Sequence, residues 1–329
     1  MTIKYNNVYI HDVATITGPI ESKGPLSKFF DKSYNDMYFR ADTWEQAEAK
    51  ILIESADIVL NKVKKIKADV DLFVSGDLLN QIVSSNYAAM HLGIPFLGIY
   101  SACATSIEGL IIAANMIEAG QVKNAISATS SHNNAAEKQF RYPVEYGGPK
   151  PSSMTFTVTG AASAYLSYDK KGFKIESATI GKVIDSGIKD PFNMGGVMAI
   201  SAAKTIHEHL KDTKREADYY DLILTGDLGI YGKDILKECM LTEYGIELTN
   251  IDDSGCMIYD IDNQSVYAGG SGPCCLPLVT YSYIMSRLKK GNYKRVLLVG
   301  TGALLNTSVV NQKLQIPSVS HALSLEAVE

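Results

Sequence analysis

Short apolar runs rich in β-branched residues alternate along the chain with longer stretches whose apolar residues recur every three to four positions, the pattern of buried strands between helix layers. Residues 43–67 open it: TWEQ reads as a capping box, with Thr43 as N-cap and Gln46 reaching back, and an amphipathic helix follows. DLFVSGDL at 71–78 is the next strand. YSACATSIEGL at 100–110 then carries an apolar strand through a small-residue turn into a helix, with Cys103 at the turn. TVTGAASAYLSYD closes the first half of the chain, and KKGFKIESATI opens the second.

The strand at 71–78 recurs. DLILTGDL at 221–228 matches it in residue type 150 positions later (226 minus 76). Each copy is followed by corresponding segments, ACATSIEGLIIAANMIEAGQVKNAISATSS in one half and PCCLPLVTYSYIMSRLKKGNYKRVLLVGTG in the other. Aligning Gly120 with Gly291 also aligns Cys103 with Cys274. Two copies of one α/β unit predict related halves, residues 1–168 and 169–329, with pseudo-twofold symmetry and their post-strand turns converging on one cleft. No Gly/Ser linker divides them, so they are expected to pack as one body. HNNAAEKQFRYPVEYGGPKPSSM at 132–154 reads as a long loop that serves as a lid or a binding wall.

Composition narrows the function. With 329 residues, 46% apolar and 20% charged, the chain is an ordinary globular protein. A formal charge of -5 and no basic run longer than KVKKIK at 62–67 leave no electrostatic footprint for nucleic acid. GLIIAANMI and RVLLVGTGALL fall short of the roughly 18 residues that cross a bilayer, and MTIKYNNVYIHD lacks a signal-peptide core, so any membrane role is expected to be peripheral. Five cysteines, odd in number and without CxxC spacing, predict reduced thiols in a cytosolic compartment. His207 and His209 are two residues apart and do not face each other on a helix, which argues against a metal pair.

Cys103 is the first candidate for chemistry. At a helix N-terminus the positive end of the dipole stabilises a thiolate, which suits a nucleophile or a thiol lining an anion site; an inert core thiol is the third reading. Ser101, two residues earlier, is expected on the same face by strand alternation. Asp77 and Asp227 occupy the matched turns SGD and TGD, where Asp commonly caps a helix. Asp227 is read as such a cap; Asp77, in the half that carries Cys103, is a candidate for the pocket. His132 ends the strand NAISATSS, where open α/β sheets put their ligand crevices, and Asn133 and Arg141 follow in the same loop. His321 is assigned to a last strand.

These motifs together resemble the thiolase-like family, especially condensing enzymes of the ketoacyl-synthase III type. SACATSIEGL is similar to the family's nucleophile turn, TVTGAASAYLS to its FGDGAGA-type strand, and AGGSGPCCLPL with RVLLVGTGAL to its GNTSAASIPL and RVLLVGFGGG segments. The resemblance implies a thiolase-like α/β fold of two halves, layered αβαβα. It also implies a homodimer formed through the first half's edge strand, for which QVKNAISATS is the expected segment. Where the family has its catalytic His and Asn, this chain is expected to carry Gly226 and Gly270. Condensation needs those donors for the enolate oxyanion, and losing both argues against it.

A closer resemblance is to the stage V sporulation protein AD subfamily, in the layout from VYIHDVATITGPIESKGPL to SHALSLE. It implies a non-catalytic protein, without cofactor, that binds dipicolinic acid (pyridine-2,6-dicarboxylate) or its calcium chelate for uptake into developing spores. Other SpoVA membrane proteins are the implied partners, at the cytoplasmic side of the spore inner membrane. The expected ligand-binding set is Cys103, Asp77, Ser101, His132, Asn133 and Gly226, with Gly-rich turns and helix N-termini supplying N–H groups to carboxylates. The enzymatic alternative is an acyltransferase or thioesterase in which His132 is the base for Cys103.

Overall fold

The computed structural model describes residues 1–140 and 149–328. Its first half contributes five principal strands, β1 (Tyr9–Thr17), β2 (Leu72–Gly76), β3 (Phe96–Gly98), β4 (Asn124–Ser131) and β5 (Gly160–Ser167), in the spatial order β3-β2-β4-β5-β1. The second half repeats this with β6 (Phe173–Thr179), β7 (Leu222–Thr225), β8 (Ile251–Asp253), β9 (Arg295–Ala303) and β10 (Pro317–Ala327), ordered β8-β7-β9-β10-β6. In each half the first three of these are parallel and the fourth runs against its neighbours. The duplicated sequence has therefore folded twice into one topology.

The two sheets join through β1 and β6, paired Tyr9↔Lys174 and Ile10↔Phe173. A short strand at Thr2–Lys4 pairs with β6 as well, so the first residues of the chain extend the second half's sheet.

Seven helices position the site: α1 (Trp44–Val63), α2 (Val83–Leu92), α3 (Thr105–Glu118), α4 (Asn133–Phe140), α5 (Met194–Thr213), α6 (Gly229–Tyr244) and α7 (Cys275–Val279), the last continuing through a π turn at Thr280–Ile284 into Met285–Lys289. Thr43 caps α1 by accepting from Gln46 N, as expected, while Gln46 Oε1 reaches one residue beyond the box, to Asp42 N. Both α1 and α5 run 20 residues and end in a left-handed lysine, Lys64 and Lys214, which are again 150 positions apart (214 minus 64).

Strand alternation explains the layers. Leu72 and Val74 of β2 face inward to Ile107 and Leu110 of α3, while Phe73 faces outward to α1. Leu222 and Leu224 of β7 likewise face the centre, and Ile223 faces α5 and α6. Both faces of each sheet are covered, which is why these strands read as continuous apolar runs. The order is α1/α2, first sheet, α3/α7, second sheet, α5/α6, the expected five layers.

Two expectations fail here. Residues 124–131 are not an edge: β4 is flanked by β2 and β5, and its apolar run reflects burial on both faces. The edge of the first half is β3, with Leu97 43% exposed. The stretch 132–154 is also not one loop, because Asn133–Phe140 forms α4 directly after β4.

Candidate functional site

Cys103 sits in a clamped turn. Ala102 adopts φ 51, a left-handed conformation that costs a non-glycine residue energy and persists only when its surroundings hold it. Thr105 Oγ1 accepts from Ser101 N at 3.0 Å and donates to Ala102 O at 2.6 Å, stapling the turn to the first turn of α3. Glycines allow the flanking strands to close on it. A Cβ at Gly76 would lie 2.1 Å from Ile99 O, and one at Gly302 would lie 2.3 Å from Ser101 O.

The Cys103 side chain lines a small cavity of about 30 Å³, room for about one water molecule. Its walls come from both halves: Leu78, Tyr100, Ala136, Phe140 and Thr157 from the first, Met194, Ser271, Ala303 and Leu305 from the second. Leu78, Tyr100, Phe140 and Leu305 also border a vestibule of about 410 Å³, rimmed by Asn80, Gln81, Gln139 and Asn306. The inner space alone is too small for a pyridine dicarboxylate; the two together reach the few-hundred-Å³ scale of ligand sites. A larger recess of about 610 Å³ between α1 and α2 is lined by Glu45, Lys50, Tyr87, Met90 and His91, with no group from the second half.

The group behind Cys103 is Asp227. Its carboxyl is buried and is hydrogen-bonded with the Cys103 thiol. Oδ1 also accepts from Thr301 Oγ1 at 2.6 Å and Oδ2 from Gly272 N at 3.1 Å. Burial pushes its pKa up from 3.8 to about 7, against the lowering effect of those hydrogen bonds. The turn before α7 therefore already holds an anion-capable group of the protein itself. Reading Asp227 as a helix cap missed this, because it weighed which half carries Cys103. The pseudo-twofold axis brings the opposite half's turn against that thiol, and the repeat contained this signal.

Gly226 and Gly270 do not stand open to the cavity. A side chain at 226 would run into Thr301 Oγ1 at 3.0 Å, and one at 270 into Ile258 and Val158; of the residues that follow them, Ser271 lines the cavity and Asp227 lies behind its wall, bonded to Gly272 N. Ser101 does not share a face with Cys103, since the left-handed Ala102 between them breaks the alternation. Its hydroxyl instead bonds to Glu108 of α3.

The Asp77 carboxylate is occupied locally, accepting from Leu79 N at 3.0 Å, Ser85 N at 2.8 Å and Ser85 Oγ at 2.7 Å. It fixes the strap between β2 and α2, and only the adjoining Leu78 reaches the cavity. His132 is fully buried elsewhere, with Nε2 2.7 Å from Met37 O and its ring against Phe39 and Trp44; burial lowers its pKa. Asn133 bonds Thr159 Oγ1 and Thr157 O, supporting the wall without lining it. Arg141 lies outside the described residues. His321 is in β10, and Cys274, the repeat partner of Cys103, is buried 2.9 Å from Ser131 Oγ.

Of the six expected site residues, then, the structure brings Cys103 alone to the cavity wall. The clamped thiol turn between two duplicated halves is the arrangement by which the chain can be compared with known proteins. The family described as Stage V sporulation protein AD (SpoVAD) matches residues 1–326. The chain belongs to the SpoVAD family. Stage V sporulation protein AD of Bacillus subtilis (strain 168) is 47% identical over 320 residues, covering 97% of this chain and 94% of that protein.

Solved structures extend the likeness to the fold. Cerulenin-bound OleA from Xanthomonas campestris superposes with a TM-score of 0.63 at 14% identity, covering 98% of this chain and 100% of that one. The 3-oxoacyl-(acyl carrier protein) synthase III FabH from Xanthomonas oryzae pv. oryzae gives 0.58 at 13% identity, covering 98% and 100%. The SpoVAD family thus shares its fold with thiolase-like condensing enzymes. Among the described residues, no helix is long and apolar enough to cross a membrane.

Proposed function

We propose that this SpoVAD-family chain is a non-catalytic binding protein for dipicolinate, free or as its calcium chelate, which it delivers to SpoVA membrane partners during spore formation. The observation that carries the reading is the lining of the cavity beside Cys103. A condensing site needs donors such as His and Asn where the enolate oxygen develops. No His or Asn side chain lines the inner cavity among the described residues. His132, the base of the acyl-transfer alternative, is turned to Met37 O.

Calorimetric titration with sodium dipicolinate tests this directly. Saturable binding is expected, and Cys103→Ala should weaken it by roughly 0.5–1.5 kcal/mol, the value of one hydrogen bond. No heat at millimolar ligand would remove the reading. Incubation with acyl-CoA followed by intact-mass spectrometry is expected to leave Cys103 unmodified; a turnover-competent acyl adduct would restore the enzyme alternative.

The homodimer belongs to the same reading, with its contact now at β3. Among the described residues no strand pairs with its outer edge, and Leu97, Tyr87 and Met90 are 43%, 58% and 73% exposed on it and on the adjacent α2. Leu97→Glu should convert the dimer to monomer in light scattering. An unchanged mass would place the contact elsewhere.

A further inference from the structure

The first half departs from the repeat in the strap that follows β2. In the second half α6 begins at Gly229, directly after the turn that holds Asp227. The matching position in the first half is Leu79 (229 minus 150), yet α2 begins only at Val83. Leu79–Ile82 therefore stands where the repeat has the first turn of a helix. We propose that this strap is an unwound turn of α2 that closes the Cys103 cavity, and that it opens the cavity by rewinding into the form its counterpart keeps.

The closed form is strained. Gln81 (φ 53, ψ 29) and Ile82 (φ 50, ψ 51) are consecutive left-handed residues, and Ile82 is β-branched, a type poorly suited to that region. The stretch LLNQIV contains no glycine that would favour it, whereas Leu and Gln are good helix formers. Such a conformation persists only where its surroundings impose it. Two clamps do so. Asp77 accepts from Leu79 N at 3.0 Å, from Ser85 N at 2.8 Å and from Ser85 Oγ at 2.7 Å, gripping the chain on either side of Gln81 and Ile82. Gln139 of α4 holds the strap from across the vestibule: its Oε1 accepts from Asn80 N at 2.8 Å and its Nε2 donates to Leu78 O at 2.9 Å. In the rewound form Leu78 O accepts from Ile82 N, as groups four residues apart do in a helix, and Gln139 is released.

The position of the strap makes it a gate. Residues 78–82 all line the vestibule, and Leu78, with Tyr100, Phe140 and Leu305, also borders the inner cavity. Freeing the Leu78 carbonyl from Gln139 draws the Leu78 side chain away from Phe140, the residue next to Gln139, and joins the two spaces. The device does not depend on which ligand the cavity takes.

Alkylation of Cys103 by iodoacetamide in the full chain, followed peptide by peptide in mass spectrometry, reads the gate without any ligand. Gln81→Gly and Gln81→Ala remove the same exposed side chain, but glycine favours the strap and alanine the helix. Cys103 should react at least about tenfold faster in Gln81→Ala than in Gln81→Gly. Cys274, fully buried, should stay unmodified in both. Gln139→Leu, which removes one clamp and keeps its bulk, should react faster at Cys103 than the wild-type chain. Equal rates in the two Gln81 variants, or a faster glycine variant, overturn the proposal, because a change in the shape of the rim alone would move both alike. A Cys103 that stays unmodified in every variant, or reacts only together with Cys274, overturns it too, as does a rate unchanged by Gln139→Leu.

Discussion

Gly302→Ala is expected to lower the unfolding free energy by about 3 kcal/mol, the upper range for overpacking a close contact. The added methyl would lie 2.3 Å from Ser101 O, 3.1 Å from Ala104 N and 3.2 Å from Ala104 Cβ. Two of these three atoms are backbone, so no rotamer change relieves the clash, and β9 must withdraw from the Cys103 turn. Ligand binding should be lost at temperatures where the variant is still folded. Urea denaturation read by circular dichroism checks the energy, with Gly120→Ala as control. Gly120 has φ 68 and open space around its Cβ position, so there only the left-handed strain applies, about 1 kcal/mol. Equal midpoints for the two variants would show that the turn is not clamped by β9.

Glu48→Gln should stabilise the protein at alkaline pH, on the order of 1–3 kcal/mol, the cost of a buried polar group left without full compensation. Glu48 of α1 is fully buried near Asp77, and burial first, then the Asp77 charge, pushes its pKa well up. Asp77 holds the stronger donors, two backbone N–H groups and the Ser85 hydroxyl, whereas Glu48 accepts from Ser130 Oγ at 2.9 Å. The proton therefore resides on Glu48 and the charge on Asp77. A carboxyl whose folded pKa lies above its unfolded value of about 4 binds its proton more tightly when folded. Its contribution is complete below about pH 4 and is lost as pH rises through the folded pKa. Asp227, raised to about 7, acts in the same direction. Wild-type melting temperature should thus decline between about pH 5 and 8, and Glu48→Gln should flatten part of that decline while leaving the acid end unchanged. A wild-type curve that rises over this range would contradict the assignment.

The architecture was legible because it was written twice. The matched strands at 71–78 and 221–228, with Gly120 and Gly291, require one unit to recur, and both glycines adopt left-handed φ, 68 and 72. The site was legible only in part. Cys103 stood out by its turn, but Ser101 and Gly226 were placed from strand periodicity or alignment in segments where the chain leaves the strand conformation, and a single left-handed residue reverses which way the neighbours face. Asp77 and Asp227 look alike in sequence; the difference lies in which hydrogen-bond donors each meets in space. His132 follows a strand end, as ligand-binding residues often do, yet Trp44 and Phe39 arrive from distant sequence to cover it.

The central layer also makes each half depend on the other. α3 belongs to the first half and lies against β9 and β10 of the second; α7 belongs to the second and lies against β5 of the first, and the two helices sit side by side. A half-length chain would leave one apolar face of its own central helix in water. A free-standing unit of that length would need a second copy packed against it, as each half here has the other. The turn of Cys103 has its counterpart at Cys274, which is fully buried, while Cys103 stands at the cavity.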